Sequence, residues 1–145
     1  MKLKLLIVVL FCSVLGWGQV SITGLGAGNT YSQNFNTATA AVPTGWAFSE
    51  SGSSADATFV SGTGTATGGN TYFFGVSNEW AFGGLQSGSV NPTIGAVFTN
   101  NTGSTITEMV ISYTGETWRV GTASRSDRLD FQYSTNATSL TTGTW

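Results

Sequence analysis

From Val20 onward, no stretch of this chain repeats apolar residues at the 3.6-residue spacing of a helix for long enough to form one. Instead, short apolar or aromatic runs alternate with clusters of Gly, Ser, Thr and Asn, which is the pattern of an all-β protein. The spacing predicts strands over 31–35, 45–48, 58–60, 71–75, 79–82, 94–99, 107–113, 117–120 and 128–134. The turns between them are legible too. "TNNTGS" after the 94–99 run reads as a hairpin, because Asn and Gly accept the positive φ of tight turns. "GTGTATGGN" from Gly62 to Asn70 reads as a loop, with no shift of composition across it to mark a domain boundary. Many short strands at this spacing predict an antiparallel β-sandwich of jelly-roll type.

The chain begins differently. Lys2 and Lys4 precede the apolar run "LLIVVLFCSVL", and Gly16 and Gly18 sit two apart behind it, which together predict a secretory signal peptide over 1–18. The run is too short to cross a bilayer, so no membrane association is expected after its removal. A lipoprotein anchor would need a small residue before Cys12, and Phe11 stands there. The β-sandwich module then occupies 19–145 and is expected to be a fragment of a longer secreted protein, truncated at its C-terminus, because Thr144 and Trp145 read as the start of another strand. Such truncation would leave a sheet edge unpaired.

Removing the signal removes both lysines and the only cysteine, and there is no histidine anywhere. Thiol nucleophiles, histidine bases and His or Cys metal sites are therefore excluded from the mature chain. What charge remains is three arginines against seven carboxylates, which argues against a basic surface for nucleic acid.

All three arginines lie in "GETWRVGTASRSDRLDFQYS", with Glu116, Asp127 and Asp130 among them. Glu116 with Asp127 or Asp130 has the residue types of a glycosidase carboxylate pair, but acids among arginines are more often ion-paired. The expectation is a structural salt-bridge cluster of Glu116, Arg119, Arg125, Asp127 and Arg128. In it, Glu116 is inward-facing behind a bulge at Gly115 and held by Arg125 or Arg119 first and Arg128 second. No cofactor is expected. A structural Ca²⁺ in a loop at Asp127 and Asp130 is the one metal the residues leave open, although the run of acids at alternate positions that such a loop uses is missing.

Aromatic residues form the other candidate site. In "TYFFG", alternation places Phe73 opposite Tyr72 and Phe74, so one side of that strand needs an explanation beyond the core. Trp80, Tyr72 and Phe74 are the candidate ligand-binding residues, since flat rings stack on the axial C–H faces of sugars. The sequons at Asn100 and Asn136 read as turn residues.

The segments "YSQNFNT", "VPTGWAF", "GGLQSGSVNPTIGAVFTNNTGSTITEMVISYTGETWR" and "SDRLDFQYSTNATSLTTGTW" resemble an uncharacterised all-β module of secreted bacterial proteins. That module is similar to the region ahead of extracellular endonuclease/exonuclease/phosphatase-type nucleases, lamin-tail domains and type IX secretion sorting domains. One departure is "SNEWAFGG", which places Trp80 where relatives tend to carry a charged pair. The resemblance implies a secreted, non-catalytic accessory or binding module. Its expected partners are a downstream domain of the same chain and an extracellular glycan or cell-surface component. The alternatives are the amino-terminal appendage of a nuclease or hydrolase, or an adhesive cell-surface module.

Overall fold

The computed structural model describes residues 18–23, 30–37 and 41–145. The expected signal peptide, apart from Gly18, lies outside these residues. Among them the chain is all-β, with seven strands in the order β1 (Val20–Ser21), β2 (Trp46–Ser51), β3 (Phe59–Gly62), β4 (Asn70–Val76), β5 (Glu79–Leu85), β6 (Asn91–Ala96) and β7 (Phe98–Thr99). Three small sheets result: β1 with β7, β2 with β6, and β3-β4-β5.

Two of the pairings, β2–β6 and β4–β5, are antiparallel as expected, whereas β1–β7 and β3–β4 are parallel. The β3–β4 pairing is unusual, because parallel neighbours are ordinarily joined by roughly a dozen residues or more. Here the glycine-rich 63–69 segment makes the return.

Alternation then dictates the core. In β2, Trp46, Phe48 and Glu50 share one side, and opposite them across the ladder stand Ala96, Ile94 and Pro92. In the three-stranded sheet, Phe59, Thr71, Phe73, Trp80, Phe82 and Gly84 share a side. These two sides meet. Phe48 packs edge-on against Phe59 and Phe82, while Phe73 lies flat on Phe82 with ring centroids 4.4 Å apart. Phe73 is completely buried, and Trp46, Trp80 and Ile94 surround the cluster. Burying one such ring contributes roughly 1.5 to 3 kcal/mol, so these phenylalanines account for much of the cohesion between the sheets.

The 31–35 run enters the core without becoming a strand. Phe35 takes φ 59°, which turns the chain out of extended geometry, and its ring seats edge-on against Trp46 at 4.7 Å. The indole of Trp46 in turn donates to the Tyr31 hydroxyl at 2.9 Å.

The expected strands at 107–113, 117–120 and 128–134 are also not formed; the structure leaves these segments without ladder partners. Their alternating apolar residues are consequently exposed, Val110 to 87% and Leu129 to 70%. Alternation encodes which side chains share a face, but a strand also needs a neighbour for its backbone groups.

Candidate functional site

The register of β4 and β5 separates the three aromatic candidates. Trp80 stands across from Gly75, on the side of Phe73, whereas Tyr72 and Phe74 point to the opposite side. Gly75 is required there, because a Cβ at that position would run into the Trp80 indole. The indole is tied at its other end by donation to the Ser77 carbonyl at 3.2 Å, and the Trp80 amide donates to Asn36. Trp80 thus packs against the core and shares no face with Tyr72 and Phe74.

Tyr72 and Phe74 do form a stack, with centroids 4.7 Å apart and planes within 16°. They are buried rather than open. Two segments cover them. The 63–69 return folds back so that the Tyr72 hydroxyl donates to the Gly68 carbonyl at 2.9 Å. Trp118 then lies nearly parallel to Phe74 at 6.3 Å, extending the stack to three rings.

Trp118 and Arg119 are the only residues between 100 and 133 that are not exposed. Arg119 donates to the Gly64 and Thr65 carbonyls at 3.5 and 3.4 Å, and Gly64, at φ +84°, lies against the Trp118 carbonyl where a side chain would collide. The arginine-bearing segment is therefore fastened to the sheet by an indole and one guanidinium acting on backbone carbonyls.

Glu116 takes a different partner from the one expected. It is exposed and accepts from the Trp118 indole at 2.9 Å, while Arg125 pairs with Asp127 at 2.7 Å and Arg128 with Asp130 at 2.6 Å. Both ion pairs join residues two apart, which lie on one side of an extended chain. Closing so short a loop costs little entropy, whereas reaching Glu116 would require ordering the whole 116–125 segment. The Asp127 side chain raises the Arg125 pKa through its hydrogen bond and its charge, but both partners are more than half exposed, so the pair contributes little to stability.

The acids at 127 and 130 thus face arginines instead of an open cage of oxygens. Among the described residues no group of three His, Cys, Asp or Glu side chains could hold a metal ion.

One carboxylate holds a structural position that was not singled out from the sequence. Glu50 Oε1 accepts from both the backbone amide and the hydroxyl of Thr71, at 2.6 and 2.8 Å, and its Oε2 accepts from the Asp56 amide at 3.2 Å. Thr71 is completely buried. Glu50 therefore links β2 to β4 across the two sheets. The signal was present in "WAFSES", where an acid occupies the third inward position after Trp46 and Phe48.

No family model, curated protein or solved structure matches this chain. Among the described residues no helix is long and apolar enough to cross a membrane. The functional reading accordingly rests on the surface of the chain itself.

Proposed function

We propose that this chain is a secreted, non-catalytic accessory module, a β-sandwich of jelly-roll type that holds a neighbouring domain of the same extracellular polypeptide. The observation that carries the reading is the apolar face of the 107–113 and 128–133 segments. Met109, Ile111, Tyr113, Leu129 and Phe131 are all at least half exposed. Tyr113 and Phe131 stack on each other at 5.9 Å, so the two segments meet at these rings. Scattered exposed apolar residues are ordinary, but five in two short segments that meet through a stacked ring pair, on an otherwise Thr- and Ser-rich chain, make the kind of patch that marks a contact.

Charge supports the same reading. The neighbouring arginines are already neutralised by Asp127 and Asp130, so an approaching domain meets no uncompensated cation beside the apolar residues.

Hydrogen exchange tests the idea. In the 19–145 polypeptide the amides of 107–113 and 128–133 are expected to exchange freely, and in the protein as its host secretes it they are expected to be protected. Equal, rapid exchange in both preparations would refute docking of a neighbouring domain on this face.

A further inference from the structure

A loop over residues 134–145 presents a second surface, which adjoins the apolar face above at Tyr133. Residues 134–145 are organised by their own hydroxyls and amides. Ser134 Oγ accepts from the amides of Asn136 and Ala137, at 3.3 and 3.1 Å. Thr142 Oγ1 accepts from those of Thr138 and Ser139, at 3.0 and 2.9 Å. Asn136 Oδ1 accepts from the Thr144 amide at 2.9 Å, which brings the two ends of the loop together. Leu140 seats the loop on the outer side of the β2–β6 sheet, so close to Gly95 that a Cβ there would lie 2.6 Å from the leucine methyl.

The loop encloses an open cleft of about 340 Å³ lined by Tyr133, Ser134, Thr135, Asn136, Thr144 and Trp145. Two large rings stand at it unburied, Tyr133 at 73% and Trp145 at 46% exposure. The Trp145 ring is held in place because its Nε1 donates to the Thr142 carbonyl at 2.8 Å, which occupies the indole edge and leaves its faces available. The Asn136 side-chain amide directs its oxygen into the loop, and no described hydrogen bond uses its two N–H donors.

We propose that this cleft is a binding subsite for a neutral saccharide. Three properties of the lining select that chemistry. The rings offer flat π faces, whose negative quadrupole attracts the polarised C–H bonds on one side of a pyranose. The Asn136 amide and the Thr135 hydroxyl supply donors and acceptors at the rim, matching the vicinal hydroxyls around the edge of the sugar. No charged side chain lines the cleft, so uronates, sulfated sugars and phosphates have no counter-charge there. The volume lies at the small end of ligand clefts and suits one or two sugar units of a longer chain.

Affinity electrophoresis of the 19–145 polypeptide through gels holding cellulosic, xylan, mannan or α-glucan polymers tests the site, followed by calorimetry with the corresponding soluble oligosaccharides. At least one polymer is expected to retard the protein. Trp145→Ala and Tyr133→Ala are each expected to weaken binding roughly tenfold or more, and Trp145→Phe, which keeps a ring, to restore part of it. Phe131→Ala, on the docking face, is expected to leave saccharide binding unchanged, so the two surfaces fail or stand separately. Each variant is compared by its urea midpoint to establish that the fold is retained. Absence of retardation by every neutral polymer overturns the proposal. So does retention of full affinity in the Tyr133→Ala, Trp145→Ala double variant, or binding of a proline-rich peptide in place of any saccharide.

Discussion

Removing the Glu50 carboxylate should be among the most damaging single changes outside the aromatic core. Its Oε1 is the acceptor for two donors of Thr71, a residue with no exposed surface, so Glu50→Ala strands a backbone N–H and a hydroxyl in the interior. Each unsatisfied buried donor costs about 1 to 3 kcal/mol. The hydroxyl can rotate toward another acceptor, and Glu50 is itself only partly buried, so water can enter behind the truncated side chain. Those two reliefs place the expected loss at about 2 to 4 kcal/mol, near the low end of the summed penalties. Glu50→Gln keeps an oxygen for Thr71 and gives up only the acceptor facing the Asp56 amide, so about 1 kcal/mol is expected. Thr71→Val removes the hydroxyl with nearly unchanged shape and should cost no more than that.

Urea titration followed by tryptophan fluorescence measures all three, since Trp46 sits beside the core and reports its opening. The midpoint should fall in the order wild type, Glu50→Gln, Glu50→Ala, with the slope unchanged if the unfolded states are alike. Because Glu50 and Thr71 are in contact, Glu50→Ala and Thr71→Val should be non-additive by at least about 0.5 kcal/mol. A Glu50→Ala protein within about 0.5 kcal/mol of wild type would refute the inter-sheet role and reclassify Glu50 as an ordinary surface acid.

Phe73→Ala should cost about 3 to 5 kcal/mol, because the ring is wholly buried between Phe59 and Phe82; a urea melt showing less than about 1 kcal/mol would mean the core collapses around the gap. Glu116→Gln should stay within about 0.5 kcal/mol of wild type, since Glu116 is exposed and its partner is a single indole N–H. Within residues 19–145 trypsin can cut only at Arg119, Arg125 and Arg128; Trp118→Ala should raise the cleavage rate at Arg119 while leaving the exposed Arg125 site as it was, and an unchanged Arg119 rate would disprove fastening by the indole. Asp56 is held below its ordinary pKa, chiefly by the Thr58 hydroxyl and then by the Thr58 amide. A depressed carboxyl stabilises above its unfolded value and loses that contribution as pH falls through its folded value, so the 52–58 loop should loosen only below the ordinary aspartate range. Asp56→Asn should flatten that acid dependence in a series of melts, and an identical pH profile would count against it.

The residues that were legible in the sequence and those that were not differ in what decides their position. Alternation alone places Phe73 on the face opposite its neighbours Tyr72 and Phe74, as in the structure, because the two-residue period is a property of a single strand. The face of Trp80 is not legible in this way, because it depends on register against β4, where Trp80 meets Gly75 across the hairpin and so stands on the side opposite Tyr72 and Phe74. Composition places cations and acids in one short stretch and so points Glu116 at an arginine, but it does not show that Arg119, three residues on, turns to the Gly64 and Thr65 carbonyls. Arg125 and Arg128 have acids two residues away and take them. The same limit explains the 107–113 and 128–134 segments. Their alternation specifies a face that wants covering, and nothing within either segment specifies what covers it. In this fold the apolar pattern with a partner becomes β2, β4 or β5, and the equally regular pattern without one becomes exposed surface, which is why the surface, more than any catalytic constellation, carries the functional reading.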